Sequence, residues 1–263
     1  MPELRIGCSG FSYHHWRGKF YPENLGERRW LAYYSSIFST VELNVTFYRL
    51  PRPAAFDTWY KETPPDFVYS VKGSRFITHV KKLLNPKDPL KLFFDSALRL
   101  QEKLKVVLWQ FPPSYKANRE RLVAFIRLLR RIPVRNVFEF RHESWIVPDI
   151  MDLCRDHNVS ICTADWPAFI DDLPVTADFV YIRRHGEGGS YATRYSKADL
   201  KKDAARIQKY LKDRKDVFIY FNNDASGYAP QNARELIEVL KLSAVLKKPL
   251  KSSTIPKLEA GKS

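Results

Sequence analysis

Two glutamates stand inside otherwise apolar runs, Glu42 in "TVELNVTF" and Glu139 in "NVFEFR". An unpaired buried charge is costly, so a carboxylate in such a place is either a proton carrier or half of an ion pair. Asp165, in "TADW", follows a third apolar run. Glu42, Glu139 and Asp165 are therefore the candidate acid–base residues. Bases recur at equivalent places: Lys72 ends "FVYSVK", Arg141 ends "NVFEFR", and Arg183 and His185 close "FVYIRRH". The amides Asn44, Gln110 and Asn222 complete a set able to hydrogen-bond a polar ligand. The mixture suits carboxylate chemistry on an anionic substrate. It suits equally an internal network in which Glu42 and Glu139 neutralise Lys72, Arg141 and Arg183.

The stretch "SGFSYHHWRGKFYP" adds rings to bases. Tyr13 and Trp16 are expected to stack on a flat group and Arg17 to attract an anion, while Phe20 and Tyr21 pack as core. The glycines of "HGEGGSY" (Gly186, Gly188 and Gly189) are expected to leave N–H groups free around a phosphate beside Arg183 and His185. Glu42, Glu139, His142, Asp165 and His185 are also metal-ligand types, and a divalent metal remains an alternative. No diagnostic spacing such as HExxH supports it, and the neighbouring bases would repel a cation. Cys8 and Ser9 have no local partner that would activate them, and "GCSG" does not place its serine as a GxSxG elbow does. No motif demands a cofactor.

The elements that must position these residues follow from periodicity. Eight apolar runs read as strands: "LRIGCS", "TVELNVTF", "FVYSVK", "KVVLWQF", "NVFEFR", "VSICTA", "FVYIRR" and "DVFIYFN". Amphipathic segments fill most gaps, and the gap after the sixth strand, "DWPAFIDDLPVTAD", is short and broken by prolines. This order predicts a single (β/α)8 TIM-type barrel over 1–246, irregular after strand six, in preference to an open doubly wound sheet. Alternation then directs Glu42, Asn44, Thr46, Lys72, Gln110, Glu139, Arg141, Arg183 and Asn222 into the barrel, and Val45, Phe47, Phe138 and Phe140 toward the helices. The end, residues 247–263, reads as a basic tail.

Across 263 residues, 44 Lys and Arg face 29 Asp and Glu, a net charge of +15 that suits a polyanionic partner or a solvated basic surface. Three unpaired cysteines and no secretory leader predict a reducing, cytoplasmic setting. No run is long enough to span a membrane, so no membrane partner is expected.

In order along the chain, "GCSGFSYHHWRGKFYP", "TVELNVTFYRLP", "VKGSRFITH", "LWQFPPSY", "EFRHESW", "TADW", "YIRRHG" and "YFNNDASGYAPQNA" resemble the YecE-like family, domain of unknown function 72. The resemblance covers nearly the whole chain and implies a TIM-barrel-like fold, but no particular reaction. Taken together, the residues point to an enzyme acting on a phosphate-bearing small molecule or nucleic acid by carboxylate acid–base catalysis, either as a phosphodiester hydrolase or as a sugar-phosphate isomerase or lyase. A non-catalytic nucleic-acid-binding protein and a metal-dependent hydrolase are the alternatives. The sequence leaves the state of assembly open.

Overall fold

The computed structural model describes residues 1–246, so the expected basic tail lies outside the described residues. Strands β1 (Leu4–Cys8), β2 (Thr40–Leu43), β3 (Val68–Lys72), β4 (Leu104–Gln110), β5 (Arg135–Glu139), β6 (Ser160–Ile161), β7 (Thr163–Ala164), β8 (Phe179–Arg184) and β9 (Asp216–Phe221) are all parallel to their neighbours. They pair as β2-β3-β4-β5-β6 and β7-β8-β9-β1. Cys162 alone separates β6 from β7, so these are two halves of one stave. The other seam is closed by a Ser9–Glu42 bridge and by the Gly10 N–H donating to Glu42 O at 2.8 Å. The result is the expected barrel of eight staves.

Parallel pairing requires crossovers, and their amphipathic faces form the outer core. Helix α1 (Trp30–Ser35) follows β1, and α2 (Val45–Tyr48) with α3 (Pro53–Glu62) follows β2. Helices α4 (Lys87–Ala97) and α5 (Arg119–Leu129) follow β3 and β4 and bury Leu90, Phe93, Phe94 and Ala97, and Leu122, Phe125, Ile126 and Leu129. Both sets have the i, i+3, i+4, i+7 spacing of a single helical face. Asn118 Oδ1 caps α5 by accepting from Arg121 N–H at 2.9 Å. Helices α6 (Pro148–Asp156), α7 (Lys197–Lys212) and α8 (Tyr228–Leu246) follow β5, β8 and β9. Between β7 and β8 only one 3-10 turn, Ala168–Ile170, is present, as the prolines predict.

The alternation places side chains as expected on most staves. Trp109 and Phe138 point outward onto Phe125, while Glu42, Glu139 and Arg183 are buried inside. One stave differs. The run "TVELNVTF" stops as a strand at Leu43, and Val45–Tyr48 makes a single helical turn. Thr46 fits the turn: its hydroxyl donates to Leu43 O at 3.1 Å and Lys72 O at 2.6 Å, tying the turn to the end of β3. Val45 is therefore exposed instead of helix-facing, and Phe47 turns toward the mouth.

Gly7 of β1 faces the start of β2 with no room for a side chain; a Cβ there would lie 2.3 Å from Thr40 O. Backbone cannot yield as a flexible side chain can, so Gly7→Ala is expected to destabilise the protein by at least about 1–3 kcal/mol, the range for overpacked sites. Chemical denaturation should show a lower midpoint with an unchanged slope.

Candidate functional site

The C-terminal ends of the staves hold a buried charge network. Arg183 on β8 donates to Glu42 on β2 at 2.9 Å and to Glu139 on β5 at 2.7 Å. Arg141 pairs with the other oxygen of Glu139. Glu42 also accepts from the Ser9 hydroxyl and, at 2.7 Å, from Tyr181 OH. Beneath lies a neutral layer in which Tyr220 OH meets Thr40 at 2.7 Å and Ser70 at 2.8 Å. Burial alone would raise the Glu139 carboxyl, but Arg141 and Arg183 outweigh it and hold the group well below the usual carboxylate range. Glu139 is a fixed anion.

His185 completes the network as a neutral ring. Its Nε2 faces Arg141 at 2.9 Å and Arg183 at 3.1 Å. Guanidinium groups only donate, so Nε2 accepts and the proton resides on Nδ1, 3.5 Å from Asp165. Burial first, and Arg183 second, lower its pKa to about 4 against the opposing Asp165 hydrogen bond. Asp165 is occupied by the His185 N–H at 2.8 Å and by Tyr195 OH.

Above this floor opens a cavity of ≈ 640 Å³. Its walls include Asn44 and Phe47 after β2, Lys72, Arg75 and His79 after β3, Gln110 of β4, Arg183 of β8 and Asn222 after β9, with Tyr13, Tyr48 and Tyr191 at the rim. None of the lining residues is acidic. Lys72 Nζ lies 4.2 Å from the centre of the Phe47 ring. The two carboxylates below are matched by two guanidiniums, so a charge on Lys72 is in excess. Burial and then the positive charge of Arg183 bring its pKa down to about 7, against the weaker pull of Glu139 and Glu42. His79, lowered to about 4 by burial and then by Lys72 and Arg75, is neutral beside it. The Asn44 side-chain oxygen is buried without a hydrogen-bond partner.

Several expectations require correction. Trp16 does not stand over the mouth: its ring is fully buried among Phe20, Tyr21 and Tyr34, and its N–H bonds Asp224. Arg17 lies 5.8 Å from the Trp30 ring and 3.9 Å from Glu27, on the outer side of the loop. Tyr13 does reach the cavity, but its hydroxyl donates to Ser9 O at 2.7 Å. His185 cannot serve as a cation, and both terminal nitrogens of Arg183 are taken by carboxylates. The glycine-loop amides are also used internally, Gly186 N–H by Tyr195 OH, Glu187 N–H by Thr193 Oγ1 and Gly189 N–H by Gly186 O. Their φ values of 84°, 60° and 71° at Gly186, Gly188 and Gly189 explain the glycines as turn residues.

Glu42, Glu139 and Asp165, the expected acid–base residues, are held by hydrogen bonds and ion pairs; none lines this cavity, and Asp165 lines a separate one beside Asp171, Arg184 and Tyr195. No group of three or more His, Cys, Asp or Glu is placed to hold a metal among the described residues. His142, one proposed ligand, instead accepts from Ser144 N–H at 3.1 Å. The three cysteines are buried and unpaired, with thiols pushed up by burial.

Sequence reasoning passed over Phe47, Tyr48, Arg75, His79 and Tyr191. A signal for two of them was present. Arg75 and His79 are four residues apart just beyond Lys72 in "VKGSRFITH", a spacing that puts both on one side of a helical turn, here Phe76–Val80.

Fold and site define a parallel eight-stave α/β barrel with a cationic C-terminal mouth over a buried ion-pair floor. The family model described as "Protein of unknown function DUF72" matches residues 5–256, and the chain belongs to that family. A DUF72 family protein from Thermotoga maritima MSB8 has a similar structure, with a TM-score of 0.79 and 33% identity over 91% of this chain and 99% of that one. Another, from Enterococcus faecalis V583, superposes with a TM-score of 0.76 at 22% identity, covering 90% of this chain and 95% of that one. The UPF0759 protein YunF of Bacillus subtilis (strain 168) is 27% identical, over 91% of this chain and 95% of its own. D-psicose 3-epimerase shares the fold alone, with a TM-score of 0.55 at 11% identity over 92% of this chain and 98% of that one. No helix among the described residues is long and apolar enough to cross a membrane.

Two expectations follow for stability. Glu139→Gln leaves Arg141 and Arg183 short of a counter-charge in a fully buried place, and should cost roughly 3–5 kcal/mol in denaturant unfolding. Lys72→Met should act in the other direction and depend on pH. The folded chain binds the Lys72 proton more weakly than the unfolded chain, so the charge destabilises the fold fully below about pH 7 and progressively less toward pH 10.5. The Tm gain from Lys72→Met should therefore be larger at pH 6 than at pH 10.

Proposed function

We propose that the protein is an enzyme whose barrel mouth binds a phosphate-bearing small molecule, with Lys72 in place of the carboxylates as the proton-exchanging group. One observation supports this above all: Lys72, Arg75 and Arg183 line a single cavity without an acidic residue among the lining residues. Arg183 is balanced by the carboxylates beneath it, so the charge that an entering anion meets is that of Lys72 and Arg75. Arg75 is exposed with no carboxylate bound to it among the described ion pairs, so its planar fork is available to phosphate oxygens. Asn44, Gln110 and Asn222 supply amides for hydroxyl groups, and Tyr13, Tyr48 and Tyr191 supply faces for a ring. A proton carrier works best with a pKa near the working pH, which Lys72 has and Glu139 lacks.

The net charge of +15 supports a second reading, nucleic acid as the phosphate source. A cavity of ≈ 640 Å³ falls within the range of about 300–1,000 Å³ typical of small-ligand sites, and this favours the small molecule.

Calorimetric titration with inorganic phosphate, ribose 5-phosphate, ribose and a single-stranded oligonucleotide separates these readings. Ribose 5-phosphate should bind and ribose should not, and Arg75→Gln should weaken the phosphorylated ligand about tenfold or more, the loss of one charge-assisted hydrogen bond. Equal affinity for ribose and its phosphate would overturn the proposal. Binding of the oligonucleotide alone would transfer the site to nucleic acid.

A further inference from the structure

Lys72 is the last residue of β3, and stave ends at this face are where barrel enzymes place their reacting side chains. Its surroundings differ from those of the other buried bases. Arg141, Arg183 and Arg184 are each bound by a carboxylate. Lys103 Nζ donates to three oxygens, Tyr60 O, Thr63 O and Thr63 Oγ1. Lys72 Nζ has the Phe47 ring on one side, the cavity on the other, and no hydrogen bond or ion pair among the described residues. The charged and titratable groups around it are Glu42 of β2, Arg75 and His79 after β3, Glu139 and Arg141 at the end of β5, and Arg183 of β8. Both carboxylates are committed to the arginines. What faces Lys72 across open space is positive charge, which favours the free amine.

A lysine that is largely buried, flanked by cations and open to a cavity is an activated nucleophile toward carbonyl carbon. We propose that Lys72 forms a covalent imine with an aldehyde or ketone group of the substrate, whose phosphate is held by Arg75. The inference rests on the reading that the mouth takes a phosphate-bearing small molecule. The ammonium releases one proton to solvent, and the amine lone pair attacks the carbonyl carbon while the C=O π pair moves to oxygen. A second proton passes from nitrogen to that oxygen, giving a carbinolamine. The hydroxyl, taking back one proton from solvent, leaves as water as the nitrogen lone pair forms the C=N bond. Ammonium and carbonyl thus become iminium and water with no other reactant. The iminium acidifies the adjacent C–H bond, which places the reaction among enolisations and carbon–carbon cleavages next to a carbonyl.

Borohydride trapping of the full-length wild-type chain tests this. The protein is incubated with glycolaldehyde phosphate or with glycolaldehyde, reduced with sodium borohydride, and digested for mass spectrometry. With the phosphorylated aldehyde, Lys72 should carry the reduced adduct at least tenfold more than the other lysines. Inorganic phosphate should compete, and Arg75→Gln, at an exposed position, should lower the labelling about tenfold. With glycolaldehyde that variant should make no difference. Labelling should rise as pH is raised through about 7. If inorganic phosphate binds calorimetrically but Lys72 is labelled no more than surface lysines, the nucleophile is disproved and the phosphate site stands. If Lys72 is labelled equally by both aldehydes and phosphate does not compete, the phosphate reading fails and this proposal fails with it.

Discussion

Arg183 is the group on which the interior of this barrel depends. It extends from β8 to carboxylates on β2 and β5, tying three staves that do not neighbour one another in the sheet. A barrel interior is ordinarily filled with branched apolar side chains. Here Glu42, Glu139, Arg141 and Arg183 fill it, and each is nearly or fully buried. Such a set is tolerable only when the charges balance and their hydrogen bonds are made. Ser9 and Tyr181 on Glu42, and His185 between the two arginines, add further bonds, while Arg141 Nε and Nη1 and Arg183 Nε are buried without a partner.

The balance below determines the imbalance above. With two carboxylates consumed by two guanidiniums, nothing acidic is left to face the cavity, and Lys72 and Arg75 dominate its potential. The floor also fixes protonation states, with Glu139 an anion and His185 a neutral ring. Lys72 is the buried base that lines the cavity without an ion pair among the described residues. The aromatic loop after β1 has a different part: Trp16 joins it to Asp224 after β9 and holds the rim together where the first and last staves meet.

The alternation of apolar and polar residues made the barrel and its polar interior legible. Period two is a local property, so Glu42, Lys72, Glu139 and Arg183 could be assigned inward from their own strands. Arg141 keeps the same phase although β5 ends at Glu139. The fate of each charge was not legible. Whether Glu139 carries a proton or a counter-ion depends on Arg183, 44 residues away, and one strand cannot reveal that. Trp16 was misplaced for the same reason, because its burial is decided by Tyr34 and Asp224. Phe47 escaped because the strand gives way to a helical turn after Asn44, held by the Thr46 hydroxyl, against the local β-forming residues.

Strand β1 has a further consequence for how the chain is made. Its partner β9 lies at the other end of the barrel sequence, and the Glu3 N–H bonds Asp216 across 213 residues. On a ribosome the first strand must wait for the last one. Glu42 waits too, since Arg183 follows it by 141 residues, or about 7–28 s at typical synthesis rates of roughly 5–20 residues per second. Throughout that interval Glu42 lacks the guanidinium that pairs with it in the finished barrel, and burying it without that partner would be costly. The pair that spans the finished barrel can thus form only once translation has delivered both of its members.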